Sequence, residues 1–262
     1  MARIGILQAR ASKTKDEAKR RVEQVLAKSR VEADVIVMPE YLMTDPTGLP
    51  PSELSKIAEP VGGTWTRWLE RLSDEYGSCI IASMFEEGPG KPYNTIVLAQ
   101  PGRGVVYTYR KTHLFDALGY SESSILSPGS EPPRTINACG LRLGAVVCFE
   151  LRFPELFRML ALEGADLVAV PAGWYRGDGK EEALRFLAQA RAHENTMYIA
   201  VASLYGANFT GRSMLVDPMG IVVLDLGHGE RYAEADLDPG ALEEARSRLP
   251  VLRLRRPGLY RL

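Results

Sequence analysis

The stretch Gly144-Ala145-Val146-Val147-Cys148-Phe149-Glu150 places a thiol at the end of an apolar run that is typical of a buried strand. Pro154 follows shortly afterwards, and proline is well suited to the first turn of a helix. In α/β enzymes a nucleophile often stands at the carboxyl end of a buried strand, just before a helix begins. Cys148 is therefore the candidate nucleophile of this chain.

Two other reactive side chains follow strand-like runs in the same way. Glu40 comes after residues 34–39, and Lys111 comes after residues 105–110. A thiol, a carboxylate and an amine that meet at one edge of a sheet can carry out acyl transfer. Only the thiolate of Cys148 attacks well, so we expect Glu40 to remove its proton. The Lys111 ammonium and the backbone N–H of Phe149 would then stabilise the oxyanion of a tetrahedral intermediate.

Strand and helix patterns alternate along the chain, and each half contains helices followed by a hairpin. A capping box, Thr14-x-x-Glu17, marks the start of the first helix. The pattern favours two sheets packed face to face with helices outside, in one domain over residues 1–262. The predicted strands cover residues 4–8, 34–39, 78–85, 95–99, 105–109, 141–148, 166–171, 197–203 and 231–237, and the predicted helices cover 15–29, 65–76, 154–163, 181–194 and 240–248.

The composition excludes several classes of function. The 262 residues carry a net charge of −1 with interspersed charges, which indicates no nucleic-acid surface. The basic residues of the segment 250–262 are interpreted as a C-terminal docking tail instead. No apolar run is long enough to span a membrane, and the start of the chain is too short in apolar length for a signal peptide.

Three cysteines without a CxxC pair argue against a zinc site or a disulfide framework and predict a reducing compartment, the cytoplasm. No metal ligand set and no nucleotide-binding glycine loop is recognised, so we expect an enzyme without a cofactor. Asparagine and glutamine are scarce and arginine outnumbers lysine, which leans toward a heat-adapted source.

The segments around the three reactive side chains match a known pattern. Met38-Pro39-Glu40, the run 110–115 (RKTHLF) and the run 147–155 (VCFELRFPE) resemble the three signature segments of the nitrilase, or carbon–nitrogen hydrolase, superfamily. The likeness continues in order through most of the chain. It implies a four-layer α-β-β-α sandwich of the α/β (α+β) class and a Glu–Lys–Cys triad of Glu40, Lys111 and Cys148. It also implies a homodimer, sometimes assembled further.

The resemblance also suggests further site residues and a substrate class. Glu122 occupies the place of a second glutamate that is common in the superfamily, and we expect it to position substrate and Lys111. Tyr41, Phe149 and Trp174 could line an apolar pocket. The chain looks most like the ω-amidase and deaminated-glutathione amidase group, whose members hydrolyse amides of small carboxylate-bearing molecules through a thioester, with water as the second substrate.

Several alternatives stay open at this stage. Arg152 could bind a substrate carboxylate, but the favoured interpretation is a structural ion pair with Glu155 or Glu194. Cys148-Phe149-Glu150 also resembles the Cys-Trp-Glu of nitrilases, so nitriles, and likewise N-carbamoyl amino acids, are alternative substrates. A Cys–His hydrolase would use His113 or His193, which is disfavoured. A non-enzymatic scaffold is disfavoured because all three triad residues are present.

Overall fold

The computed structural model describes residues 1–259, which form two six-stranded sheets with helices on their outer faces. The first sheet has the spatial order β14-β1-β2-β3-β4-β5, and its strands are β1 (Ala2–Gln8), β2 (Val35–Val37), β3 (Cys79–Glu86), β4 (Tyr93–Gln100), β5 (Gly104–Arg110) and β14 (Arg231–Leu237). The second sheet has the order β13-β12-β11-β10-β9-β8, and its strands are β8 (Ile136–Ala138), β9 (Leu141–Ala145), β10 (Leu167–Ala172), β11 (Tyr198–Ser203), β12 (Met214–Val216) and β13 (Val222–Asp225).

A short hairpin and seven α-helices complete the described part of the chain. The hairpin joins β6 (Asp116–Ala117) to β7 (Tyr120–Ser121). The α-helices are α1 (Lys15–Ala27), α2 (Pro51–Ile57), α3 (Thr64–Tyr76), α4 (Pro154–Leu162), α5 (Lys180–Asn195), α6 (Pro239–Arg248) and α7 (Val251–Leu254).

The central strands are buried on both faces, which explains their continuous apolar sequences. Ile4 and Ile6 of β1 belong to the core that reaches the second sheet, while Leu7 belongs to the core beneath α1 and α3. On the other side of the molecule, α4 and α5 cover the second sheet. The predicted four-layer order of helix, sheet, sheet and helix is therefore present.

The strand directions bring three chain segments to one edge of the sandwich. β1, β2 and β3 are parallel, and β5 regains their direction because β4 is antiparallel to both of its neighbours. In the second sheet β9, β10 and β11 are also parallel. The segments that follow β2, β5, β9 and β10 consequently leave their sheets at carboxyl ends, where ligand sites of α/β proteins are usually found.

The helix boundaries lie close to those predicted, but two strands are shorter than expected. The strand predicted over 34–39 is confined to Val35–Val37. The Thr14 side chain accepts a hydrogen bond from the backbone N–H of Glu17 at 3.2 Å, as a helix N-cap should. The strand predicted over 141–148 ends at Ala145, and Cys148 begins a 3-10 helix, Cys148–Arg152. Val146 still donates to the carbonyl of Ala169, which extends the pairing only one residue further.

The prediction that the chain contains no disulfide is wrong. Cys79 at the start of β3 is bonded to Cys139 in the turn between β8 and β9, with Cα atoms 6.2 Å apart. The two residues are 60 positions apart and belong to different sheets, so only the face-to-face packing brings them together. The prediction of a reducing compartment loses the support that it drew from unpaired cysteines, and Cys148 is the free cysteine.

Part of the C-terminal segment packs against the core of its own chain. Leu252 of α7 is half-buried against the core, whereas Arg253 and Leu254 are exposed. Residues 260–262 of the predicted docking tail lie outside the described residues, and the docking itself stays a prediction.

Candidate active site

The three candidate triad residues meet at the shared edge of the sandwich. Glu40 lies three residues beyond β2, Lys111 directly follows β5, and Cys148 lies three residues beyond β9. Cys148 has φ of +43°, a left-handed conformation that a non-glycine residue adopts only when the surrounding structure holds it there. The sharp turn directs the thiol into a cavity that the other two residues also line.

Lys111 lies between two buried carboxylates. Its Nζ is 3.0 Å from Glu40 Oε1, 2.7 Å from Glu122 Oε2 and 3.0 Å from Glu122 Oε1. All three side chains are almost completely shielded from solvent. Tyr41 Oη donates to Glu122 Oε1 at 2.7 Å, and the backbone N–H of Phe115 donates to Oε2 at 2.6 Å. Glu122 thus contacts Lys111, as predicted, but it lies behind Lys111 and outside the lining of the cavity.

Glu40 is fixed by two further donors that sequence reasoning missed. Asn94 Nδ2 donates to Oε1 at 2.7 Å, and the backbone N–H of Gly173 donates to Oε2 at 2.7 Å. A side chain at position 173 would collide with its surroundings, since a Cβ there would lie 2.7 Å from the Tyr41 ring. Asn94 belongs to β4, whose alternating pattern predicts a strand but gives no sign that this amide faces Glu40.

The protonation states follow from burial and from mutual attraction. Burial raises the pKa of Glu40, and the neighbouring Glu122 charge raises it further, while Lys111 opposes both effects. Burial alone would lower the pKa of Lys111, but the charges of Glu122 and Glu40 raise it well above its usual value. Burial and the Glu40 charge raise the pKa of the Cys148 thiol. The resting site therefore contains a neutral thiol, a charged ammonium and a carboxylate with increased proton affinity.

A narrow cavity opens in front of Cys148. The three predicted pocket residues, Tyr41, Phe149 and Trp174, all line it. Arg152, whose contact with a substrate was an open alternative, also lines the cavity, together with Phe115, Gly173, Tyr175 and Lys180.

The interpretation of Arg152 as part of a structural ion pair is wrong. Its guanidinium carbon lies 4.2 Å from the centre of the Trp174 ring and 5.3 Å from that of Phe149. The cause is local, because the 3-10 helix Cys148–Arg152 turns the side chain toward the cavity instead of along α4. Glu194 is paired with Arg191 instead, at 2.9 Å.

A second cation, Lys180, stands beside Arg152 in the cavity wall. Its Nζ lies 5.4 Å from the Phe115 ring centre and 6.0 Å from that of Trp174. Among residues 1–259, neither cation has a carboxylate within ion-pairing distance. Burial and the nearby Arg152 charge lower the pKa of Lys180, which indicates two like charges that share one partly desolvated space. Such a pair is suited to bind an anion.

A thiol, a carboxylate and an ammonium group that line one cavity suit acyl transfer through the thiol. Neither histidine of the rival Cys–His hypothesis lines the cavity. His113 stacks on Phe153 at 4.0 Å, and His193 is exposed with Nδ1 3.0 Å from the Met219 carbonyl oxygen. Within the described residues no cluster of side chains is arranged to hold a metal ion, and no helix there is long and apolar enough to cross a membrane.

Comparison with known proteins identifies the sequence pattern. A family model described as carbon-nitrogen hydrolase matches residues 3–247. A hydrolase of Mycobacterium tuberculosis is 37% identical over 238 residues, which is 84% of this chain and 83% of that protein. Deaminated glutathione amidase of Synechocystis is 32% identical over 219 residues, with 78% and 80% coverage. 2-Oxoglutaramate amidase of Bacillus subtilis is 30% identical over 246 residues, or 92% of each chain.

Solved structures show the same fold. Nit3 of Saccharomyces cerevisiae, a member of branch 10 of the nitrilase superfamily, has a TM-score of 0.86 at 25% identity, covering 97% of this chain and 96% of that one. A mutant of the amidase from Nesterenkonia sp. AN1 has a TM-score of 0.76 at 26% identity, covering 98% and 95%. That structure shows the acetamide moiety of fluoroacetamide covalently attached to the active-site cysteine.

Proposed function

The chain belongs to the carbon–nitrogen hydrolase family as an amidase-type member, and we propose that it hydrolyses a small linear amide bearing a carboxylate at its far end. Cys148 is the nucleophile, Glu40 the general acid–base, Lys111 the oxyanion-stabilising cation and Glu122 the residue that positions Lys111. The observation that carries the proposal is the Lys111 ammonium, bound to both carboxylates in the cavity that also contains the free thiol.

The proposed reaction has two halves. The Cys148 sulfur attacks the amide carbonyl carbon while the thiol proton passes to Glu40. Lys111 and the Phe149 N–H stabilise the oxyanion, and Glu40 returns the proton to the departing nitrogen, so that ammonia and a thioester form. Glu40 then removes a proton from water, which attacks the thioester carbonyl. The carboxylic acid leaves, and the sulfur regains a proton.

The raised pKa of Glu40 supports this role. A group that must accept a proton from a thiol and return it to an amine works best when its pKa lies near the working pH. The raised pKa of the Cys148 thiol makes a standing thiolate unfavourable, so deprotonation has to accompany attack. Glu40, which lines the same cavity as the thiol, is placed to accept the proton.

The substrate class is inferred from Arg152 and Lys180. Two cations without an acidic partner in residues 1–259 border a small aromatic cavity, and a substrate carboxylate would neutralise them. The relatives named for 2-oxoglutaramate and deaminated glutathione support an ω-monoamide. The lack of room in the cavity also favours a short, linear substrate.

The test is ammonia release from matched amides. Monoamides of four- and five-carbon dicarboxylic acids, with and without a 2-oxo group, are compared with neutral amides of the same length, N-carbamoyl amino acids and nitriles. Cys148→Ala serves as the blank. We expect the monoamides to have the highest kcat/KM. Turnover of nitriles or carbamoyl compounds alone, or equal turnover of charged and neutral amides, would contradict the proposed substrate class.

We also propose that the protein forms a homodimer. The outer helices α4 and α5, which contact each other, expose Met159, Leu162 and Phe186 to solvent. A second copy would cover this apolar surface. Light scattering coupled to gel filtration measures the mass directly, and a monomer at micromolar concentration would contradict the proposal.

The cytoplasmic location and the heat-adapted source stay predictions, which cell fractionation and thermal unfolding would test.

A further inference from the structure

Glu150 is a completely buried carboxylate that the proposed chemistry does not use. It lies two residues after Cys148 and does not line the cavity. We propose that Glu150 is a positioning residue, which holds the lysine-bearing and the cysteine-bearing segments in register across the two sheets. This inference rests on the proposed roles of Lys111 and Cys148, and it adds a third carboxylate to Glu40 and Glu122.

One oxygen of Glu150 organises the chain around Lys111. Oε1 accepts hydrogen bonds from the backbone N–H groups of Thr112 at 2.9 Å and His113 at 3.2 Å. It also accepts from Thr112 Oγ1 at 2.9 Å and from Tyr109 Oη at 2.6 Å. These donors lie on both sides of Lys111 in the sequence, so the carboxylate fixes the position from which the lysine side chain starts.

The other oxygen fixes the turn that contains the nucleophile. Oε2 accepts from the backbone N–H of Val147 at 2.8 Å, and the Glu150 N–H donates back to the Val147 carbonyl at 2.8 Å. Cys148 is enclosed between these two hydrogen bonds, and its φ is +43°. The left-handed conformation is disfavoured for cysteine, so the bonds on either side of it hold the thiol in its direction.

The two segments belong to different sheets, which makes this connection important. Lys111 follows β5 of the first sheet, and Cys148 follows β9 of the second. Reactive groups lose most of their effect when they are displaced by about 1 Å. A side chain that hydrogen-bonds to both segments therefore limits how far the ammonium and the sulfur can move relative to each other.

The connection needs a carboxylate rather than an amide. Burial alone would raise the pKa of Glu150, but hydrogen bonds from His113, Tyr109 and the backbone lower it below its usual value. Both oxygens are occupied as acceptors. A glutamine offers only one acceptor atom, and its NH₂ group would face either the Val147 N–H or the Thr112 N–H. One of the two segments would lose its attachment.

The decisive experiment compares Glu150→Gln with Glu86→Gln. Glu86 is also largely buried and accepts hydrogen bonds from Thr95 and Arg110, yet the residues it holds belong to the first sheet alone. For Glu150→Gln we expect kcat to fall about 100-fold with KM within about threefold of the wild-type value. Glu86→Gln should lower the midpoint of thermal unfolding to a similar extent but leave kcat within about threefold.

The values of kcat and KM can be measured with any amide or nitrile that the wild-type enzyme turns over, so the experiment does not depend on the proposed substrate class. An active Cys148→Ala variant would instead refute the proposed nucleophile. Glu150→Gln with kcat within fivefold of wild type, or an equal loss in Glu86→Gln, would overturn the positioning role. If Glu150→Gln does not fold, Tyr109→Phe removes one donor and keeps the carboxylate. We expect about a fivefold lower kcat at unchanged KM, and an unchanged kcat would refute the inference.

Discussion

The cavity contains basic side chains in two places with opposite surroundings. We call the part formed by Glu40, Lys111 and Cys148 the floor, and the part formed by Arg152 and Lys180 the mouth. On the floor, Lys111 is neutralised by Glu40 and Glu122, and each of these groups has several hydrogen-bond partners. At the mouth, Arg152 and Lys180 lie against aromatic rings and have no acidic partner in the described chain. The floor is preorganised for chemistry before substrate arrives, whereas the mouth is completed only by a ligand. Mutations at the two places should therefore change different kinetic constants.

The largest effect is expected from Lys111→Met. The loss of an oxyanion-stabilising cation lowers kcat by about 100- to 1,000-fold, and two buried carboxylates are left without their partner. That second consequence should destabilise the fold by about 3–5 kcal/mol. Turnover and urea unfolding measure the two losses. Lys56→Met, which removes an exposed ion pair with Glu53, is the control and should cost at most about 1 kcal/mol with normal turnover.

Glu122→Gln should come next, with kcat reduced by about 10- to 100-fold and little change in KM. The variant keeps the size of the side chain but removes the charge that holds Lys111, and the residue does not reach the cavity. Initial rates over a range of substrate concentrations separate the two constants. A large increase in KM at constant kcat would mean that Glu122 binds substrate directly.

Substitutions at the mouth should change KM rather than kcat. Arg152→Met or Lys180→Met should raise KM for a carboxylate-bearing amide about tenfold, which corresponds to the loss of about 1.4 kcal/mol of binding. A neutral amide of the same length should bind both variants like the wild type. Equal losses for the charged and the neutral amide would indicate that the two side chains only shape the wall.

The pH dependence of activity tests the proposed role of Glu40 on the floor, without a substitution at the mouth. In the proposed reaction Glu40 must be ionised to accept the thiol proton, and its pKa is raised by burial and by the Glu122 charge. The activity should therefore decline, as pH falls, at a higher pH than an ordinary glutamate would give. Glu122→Gln removes one of the raising charges, so the acid limb of kcat/KM should move to lower pH. Movement to higher pH would assign the limb to another group.

The smallest effect on turnover is expected when the disulfide is removed. A bond between residues 60 positions apart should stabilise the fold by about 4 kcal/mol through restriction of the unfolded chain. Cys139→Ser should lower thermal stability and leave kcat and KM unchanged, because the bond lies away from the cavity. A variant with normal stability would show that the two cysteines are reduced in the folded protein.

The sequence predicted most of the floor and little of the mouth, for a physical reason. Glu40, Lys111 and Cys148 each follow a strand within three residues, and parallel strands end at one edge, so a local pattern is enough to bring them together. The predicted sandwich and the amidase-type carbon–nitrogen hydrolase are both confirmed. Lys180 is the first residue of α5, and its approach to the cavity depends on the geometry of the preceding loop, which no periodicity encodes.

The errors have the same origin. Arg152 was assigned to an ion pair with Glu155 or Glu194, but a 3-10 turn directs it toward Trp174. Cys79 and Cys139 come together only through the packing of one sheet on the other. Asn94 resembles any other polar residue of a strand until Glu40 is seen beside it. Contacts that depend on tertiary structure are absent from local sequence patterns.

Gly173 restricts which variants of this enzyme can remain active. Its N–H holds Glu40, and even one added methyl group would strike the Tyr41 ring. A saturation library at this codon should yield glycine alone among active clones, whatever amide is used for selection. Attempts to evolve new specificity should therefore randomise the wall around Arg152 and Lys180 and leave this position untouched.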